Sequence, residues 1–406
     1  MEPGGRALKT FIAEYDLDRP VRAVWGLQGY TQGIILVRKT GQPIDLLWLP
    51  HDPCRFALTG REIEQNVYGR LGISPAIRVS SGTSGEDPTE TLPEISVVVC
   101  TRDRPRSLRR CLASLMRLDP GAGEVIVVDN ASLTEETREI VTRTPFRYVR
   151  EEQPGLNWAR NRGAGEARYD IVAYVDDDVR VDSGWIRGIA RGFHSPDVDA
   201  VTGLVVPAEM ETRPQLLFEI YGGMGKGMEA RRFQGASMSN RALIRVQDVG
   251  VGANMAFRRS RLENLGGFDT ALDVGTPSCG GGDLDMFQRV LVSGGTLRYE
   301  PSAVVWHYHR RDFAGLRRQL YCNGRSYGVY LIKNWRDGRI GRIPLSSFVL
   351  FQWLPWLVGR IGLGIFRRHR LPMRLLWAEF RGAIDSPWAY VKTYKHDRNV
   401  RKKITA

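Results

Sequence analysis

Ile171-Val172-Ala173-Tyr174-Val175-Asp176-Asp177-Asp178 is the stretch that decides how the rest of this chain is read. A short, nearly unbroken apolar run rich in β-branched residues suits a strand buried on both faces of a parallel sheet. The three acids then emerge at its carboxyl end, the edge where open α/β sheets collect ligands. Like charges packed side by side are costly unless a proton or a cation relieves them, so a divalent metal is expected there. The competing reading is an Asp-rich turn, since Asp is a common turn residue.

Two further segments decide between these readings. Ile95-Ser96-Val97-Val98-Val99-Cys100 is closed by Thr101-Arg102-Asp103-Arg104-Pro105, and Val125-Ile126-Val127-Val128 is closed by Asp129-Asn130. All three runs place polar ligand groups at the same end of a strand. Between the first and second of these additional runs a helix is expected to start at Pro105, a favoured first helical position. Its Leu108, Cys111, Leu112, Leu115 and Met116 fall on one face. The pattern is βαβ.

The α/β core is expected from Glu94 to about Asp312, in a chain whose 406 residues can hold more than one domain. Residues 1–78 read as a small α+β accessory domain, with strands at Gly33–Arg38 and Asp45–Leu49, a helix near Arg61–Leu71, and no chemistry of its own. Residues 79–94, with Ser-Ser-Gly-Thr-Ser-Gly-Glu-Asp-Pro at their centre, read as a linker. Another strand is expected over Ala200–Val206.

Five scattered cysteines without a Cys-x-x-Cys pair suggest neither a disulfide framework nor a zinc ribbon, and a reducing compartment fits them. Met1–Asp18 mixes charges into every turn, so no secretion signal is expected.

Of the net charge of +13, +12 falls within Leu331–Ala406, which leaves the core close to neutral. The basic charge therefore belongs to the tail, and a nucleic-acid partner is not expected. Residues 313–406 read as a helical, basic and amphipathic region. Ile343–Gly359 is free of charge for 17 residues but contains Pro344, Gln352 and Pro355. A spanning helix usually needs about 20 apolar residues, so an interfacial or re-entrant segment is the preferred reading. With Trp353, Trp356, Trp377 and Trp388 among many arginines, the tail matches a surface lying on an anionic membrane. A buried helix pair under a solvated basic face is the alternative.

Seven segments then fall into one order: Val99–Pro105, Val127–Ser132, Gly155–Gly163, Tyr174–Asp178, Gly252–Met255, Gly281–Asp285 and Val305–His307. Together they resemble the family 2 glycosyltransferases of the GT-A fold. The resemblance covers about Glu94–Tyr330, with a weaker echo from Glu379 through Tyr390. It implies an α/β fold with a Rossmann-like mixed sheet flanked by helices, with the catalytic domain at 95–312.

The resemblance also implies roles. A nucleotide-diphosphate sugar carries phosphate charge that must be neutralised as the leaving group departs, and Mn2+ or Mg2+ can do this. Asp176 and Asp178 form the Asp-x-Asp pair for the metal, and His307 closes that site. Thr101, Arg102, Asp129 and Asn130 at the strand ends, with Arg160 and Asn161 on the following helix, would hold the nucleotide. Asp176 and Asp177 face it from the third strand.

The base that takes the acceptor hydroxyl's proton usually comes from a Glu-Asp pair, which here reads Gly282-Asp283. Asp283 is assigned the base, with Asp285 as second choice, and a single displacement implies inversion. The donor would be a UDP-, dTDP- or GDP-sugar and the transferred group a hexosyl or deoxyhexosyl unit. A hydroxyl of a lipid-linked or polysaccharide acceptor of the cell envelope would receive it, at the cytoplasmic face of the membrane. The missing glutamate also supports a rival: a membrane-associated nucleotide-sugar-binding or scaffold protein that has lost transfer. A Rossmann dehydrogenase is set aside because no Gly-x-Gly-x-x-Gly follows the first strand. Gly280–Gly282 is no P-loop, because no Gly-Lys-Ser or Gly-Lys-Thr follows.

Overall fold

The structure is a computed structural model and describes residues 9–72, 92–366 and 368–405. Its frame is one mixed sheet. Across it run, in order, Val179–Val181, Thr296–His307, Val198–Pro207, Asn254–Arg258, Ile171–Asp176, Ile95–Thr101, Glu124–Asn130 and Arg147–Glu151. Arg231–Gln234 pairs with Thr296–His307 off this path. The last four strands are parallel, whereas Asn254–Arg258 runs against both its neighbours.

Both faces of the parallel strands are covered, which is why their sequences show no polar alternation. Val97 and Val99 pack against Leu108, Cys111 and Leu112 of the helix Pro105–Leu115 on one face. Val98, Ile126 and Val128 pack on the other against a layer that includes Ala159, Met286 and Phe287. Register brings the chemistry-bearing ends level: Cys100 lies opposite Asp176, and Thr101 opposite Asp129.

The N-terminal unit is a three-stranded sheet with Tyr30–Lys39 between Lys9–Asp16 and Gln42–Pro50. The helix Gly60–Leu71 begins with a Thr59/Glu62 capping box and ends on Gly72 at φ 66°. Lys9–Asp16, within the charge-mixed N-terminal stretch, is a further strand and pairs in parallel with Tyr30–Lys39. Tertiary packing of Phe11 and Tyr15 overrides a weak local pattern. The unit also sits on the main sheet: Ile12, Leu36 and Leu46 meet Leu204, Val206 and Trp306. Arg38 joins the two, its Nη2 2.6 Å from Asp182 Oδ2 and 2.8 Å from Glu14. Apart from its last three residues, the expected linker at 79–94 lies outside the described residues.

After the sheet the chain is helical. Phe313–Asp337 packs against Met373–Thr405 at very close range, because glycines face each other's backbones. A Cβ on Gly324 would meet the Glu379 carbonyl oxygen at 2.0 Å, and one on Gly382 the Tyr321 carbonyl oxygen at 2.0 Å. Between them runs Arg342–Ile365, 24 residues whose most apolar 18-residue stretch has a mean hydropathy of 1.4 and is only 11% buried. By length and composition it could cross a membrane. It opens into a π-helical turn at Val349–Trp353.

Candidate active site

At the carboxyl edge of the parallel strands the acid triplet turns from Ile171–Asp176 into Val179–Val181, and its three side chains separate. Asp177 is buried and accepts from Thr101 Oγ1 at 2.7 Å and from Arg104 Nη1 at 2.5 Å. Asp178 accepts from Arg104 Nη2 at 2.7 Å and faces His307 Nε2 at 3.2 Å. Asp176 lines the main cavity, a space of ≈ 1420 Å³.

Burial pushes Asp177 up to about 7 despite Arg104. Burial and the neighbouring Asp178 charge raise Asp176 as well. Burial also opposes the charge on Asp178, but His307 and Arg104 hold that carboxyl well below the usual range.

Asp176, Asp178 and His307 converge, with one ligand atom from each lying within 4.8 Å of the others. His307 ends the strand Thr296–His307, and a second histidine behind it sets its orientation. His307 Nδ1 is 3.0 Å from His309 Nδ1, and His309 Nε2 is 2.7 Å from Glu219 Oε1. Glu219 as a carboxylate only accepts, so His309 donates through Nε2. Burial lowers the His309 pKa, favouring the neutral ring, whose Nδ1 then accepts from His307 Nδ1. The remaining nitrogen of His307, Nε2, faces Asp178 and needs either a proton or a cation between them. Two carboxylates and an imidazole with a second-sphere partner fit a divalent ion such as Mn2+ or Mg2+.

Across the same cavity wall lies Asp283, in the first turn of the helix Gly282–Val292. Its Oδ2 accepts from Gly252 N at 2.8 Å, and burial together with Asp273 raises its pKa. Gly282, where the resemblance expects Glu, has no room for a side chain. A Cβ there would come within 2.3 Å of Asn157 Nδ2 and 2.4 Å of Asp273 Oδ2. A second carboxylate is therefore beside Asp283, supplied by Asp273. Arg160 Nη1 holds it at 2.7 Å and also bonds Asn157 at 3.1 Å.

Asp285 is in different surroundings. It is fully buried and bound by Lys333 Nζ at 2.6 Å, Arg289 Nε at 2.9 Å and Arg339 Nη1 at 3.0 Å, and it is not part of the cavity wall. Although burial opposes it, Lys333 and the two arginines lower its pKa. The second choice of base is thus corrected: Asp285 lies outside the cavity wall, with its charge held by three cations, so a substrate proton does not reach it.

The expected nucleotide residues divide too. Asp129, buried, accepts from Tyr148 at 2.8 Å, Arg150 at 3.0 Å and Ser132 N at 3.2 Å. Asn130 spans Gln153 O and Gly155 N, shaping the turn before the helix Leu156–Glu166. Asn161 grips both backbone groups of Phe268. Thr101 is spent on Asp177, and the Arg102 side chain is partly exposed beside Asp103. Of these residues only Arg160 lines the cavity with Asp176 and Asp283. Sequence reasoning missed Arg104, Asp273, His309 and Glu219. Arg104 had a signal, since it lies in the polar turn between the first strand and the helix at Pro105, and His309 had one in standing two residues after His307, whereas Asp273 and Glu219 join the site only through long-range folding.

The family model Glycosyl transferase family 2 matches residues 96–266. Those residues are a family 2 glycosyltransferase domain. The chain is 26% identical over 277 residues to the pre-mycofactocin glycosyltransferase of Mycobacterium tuberculosis, covering 67% of this chain and 54% of that protein. It thus spans about half that relative's length. It is 25% identical to glycosyltransferase AglE of Haloferax volcanii over 66% of this chain and 83% of the other. Among solved structures it resembles the mannosyltransferase PcManGT from Pyrobaculum calidifontis in complex with GDP-Man and Mn2+. That likeness has a TM-score of 0.51 and 18% identity, and covers 73% of this chain and 88% of the other. At this identity it shows the fold: the glycosyltransferase domain is GT-A, as its sheet and flanking helices indicate.

Proposed function

We propose that the protein transfers a hexosyl or deoxyhexosyl unit from a nucleoside-diphosphate sugar to a hydroxyl acceptor, by a single inverting displacement that uses Mn2+ or Mg2+. The observation that carries this reading is the Asp176–Asp178–His307 ligand set, which reaches the cavity through Asp176, together with a separate carboxylate in the same cavity wall, Asp283, whose pKa is raised. The relatives named as glycosyltransferases and the neighbour holding GDP-Man and Mn2+ support it.

In this reading Asp283 takes the proton of the acceptor hydroxyl as its oxygen bonds to the anomeric carbon and the bond to the diphosphate breaks. A carboxylate raised by burial is a better base near neutral pH than a solvated one. Gly252 N and Leu284 N fix its orientation through both oxygens. A bound divalent ion would supply positive charge for the departing diphosphate. Arg310 lines the same cavity, with its Nη2 4.0 Å from Asp178 Oδ2, and adds a cation from the protein.

The acceptor is read as lipid-linked or polysaccharide, and the protein as peripheral at the cytoplasmic face of a membrane. The exposed apolar helix Arg342–Ile365 and the basic tail support this. The residues matched by the expected domains, a small N-terminal unit, a catalytic domain ending near Asp312 and a helical tail, are proposed to act as one enzyme.

A thermal-shift screen of UDP-, dTDP- and GDP-sugars with Mn2+ tests the donor half, and stabilisation by one nucleotide family is expected. Donor hydrolysis by wild type but not by Asp283→Asn is the second expectation. If nucleotide binds while both proteins stay inert, a scaffold role replaces transfer.

A further inference from the structure

Two cysteines from distant parts of the chain meet at the wall of the cavity, and neither has a part in the donor or metal chemistry. Cys279 lies in the loop that leads from Asp273 into the helix Gly282–Val292, and Cys322 lies on the helix Phe313–Asp337. Both are half-buried free thiols, both line the cavity, and their side chains share a hydrogen bond. The backbone explains why they meet. Ser326 stands one helical turn beyond Cys322 on the same face. Gly280 packs on Ser326 so closely that a Cβ there would lie 3.2 Å from its side chain, which leaves Cys279 beside Cys322.

The loop does not hold this shape by local preference. Asp273 at φ 82° and Cys279 at φ 63° are in the left-handed region, which residues with a side chain seldom enter. Contacts fix it: Ser278 Oγ accepts from Asp273 N at 3.0 Å and donates to Gly280 O at 3.1 Å. The loop therefore links the thiols to Asp273 at one end and to the helix of Asp283 at the other.

The two thiols are chemically unequal. The hydrogen bond from Cys322 lowers Cys279 to about 7 against its burial, and the Arg325 and Arg318 guanidinium groups act in the same direction. The same bond raises Cys322 well above the usual thiol range. Cys100 and Cys111, by contrast, are pushed up by burial. The thiolate is the nucleophilic form of cysteine, and an accessible one beside a second thiol suits reversible oxidation.

We propose that Cys279 and Cys322 are an oxidative modification site, at which a peroxide joins them in a disulfide that ties the loop to the helix Phe313–Asp337. The Cys279 sulfur attacks one peroxide oxygen, the O–O bond breaks, and the leaving hydroxide takes up a proton as water. The Cys322 sulfur then attacks the sulfenic sulfur of Cys279, and the departing hydroxyl carries off the Cys322 proton as a second water. Two thiols together lose two electrons, and one peroxide gains them. A dithiol reductant reverses the change. Tying the loop restrains Asp273 and the start of the helix that carries Asp283, so transfer falls. That consequence rests on the glycosyltransferase reading, whereas the cross-link does not.

The test treats the full chain, in mild detergent, with hydrogen peroxide, blocks the remaining thiols with N-ethylmaleimide, and maps unreduced peptides by mass spectrometry. A linked Cys279–Cys322 peptide that disappears with dithiothreitol is expected, while the exposed Cys54 stays open to alkylation. In Cys322→Ser, Cys279 is expected to stop at the sulfenic acid, which dimedone traps. In Cys279→Ser, Cys322 is expected to stay reduced. A cooperative thermal unfolding transition shows that each variant is folded. Oxidation is expected to lower transfer at least about tenfold, reversibly with dithiothreitol, and to leave Cys279→Ser unaffected.

Absence of the linked peptide, or oxidation of Cys54 ahead of Cys279, overturns the pair. A cross-link that leaves transfer unchanged overturns its control of the site. A cross-link in a chain whose reduced form transfers no sugar supports the modification site and counts against the glycosyltransferase reading alone.

Discussion

Gly282 stands where a glutamate would complete an acidic pair, and Asp273 and Asn157 occupy the space that glutamate would need. Gly282→Glu is therefore expected to destabilise the fold by about 1–3 kcal/mol through overpacking and to lower transfer. Thermal unfolding and turnover would show it, and a gain in turnover would refute the spatial substitution by Asp273. A second prediction concerns the hydrogen-bonded row behind the metal ligands. Glu219→Leu is expected to weaken Mn2+ binding by about 10–100-fold, as second-sphere losses usually do. Glu219→Gln should retain most of it, because an amide oxygen still accepts from His309 Nε2. The electron paramagnetic resonance signal of free Mn2+ reads both. Asp176, Asp178, Asp283 and His307 were legible because each lies at a strand end or helix start marked by local pattern. Asp273 and Glu219 were not, since they meet Arg160 and His309 across 113 and 90 residues of sequence.

At the scale of elements, the helix Gly282–Val292 places two acids two residues apart, on nearly opposite sides of its axis and in opposite surroundings. Asp283 faces the cavity, while Asp285 ties that helix to Phe313–Asp337 through Lys333, and to Arg339 beyond its end. Asp285→Asn should destabilise the protein by about 3–5 kcal/mol, because it leaves buried cations without their counter-charge. The pH dependence follows from the sign. Its folded pKa is depressed, so its stabilisation is present above the unfolded carboxylate value of about 4 and fades as pH falls below it. Denaturant midpoints of wild type and variant should converge toward low pH, and a constant gap would contradict the assignment. The strands of the main sheet could be read from their apolar runs, whereas Lys9–Asp16 could not, because only its partner strand and the surface beneath it make it a strand.

For the whole molecule, the question is what covers the apolar helix. Phe351 and Ile365 are 76% and 65% exposed, and basic residues dominate the tail around them. The full chain is expected to sediment with vesicles rich in anionic lipid, and less so with neutral ones. About 1 kcal/mol per basic residue near the surface would be screened by added salt. Binding that ignores both lipid charge and salt would leave only the apolar term. The N-terminal unit packs on the main sheet through Leu36, Trp306 and the Arg38–Asp182 pair, beside the strand that ends in His307, so its effect on activity would pass through the sheet.

The sequence by itself determined the parallel strands, the level at which their polar ends emerge, and the family order of the motifs, because burial and strand period are written in neighbouring residues. Only the tertiary structure decided which acids are free. The three aspartates of one triplet differ because Thr101, Arg104 and His307 arrive from distant parts of the chain, and Asp283 and Asp285 differ because one meets a cavity and the other three cations. A side chain's charge state depends on what folding places around it, and no local pattern encodes that.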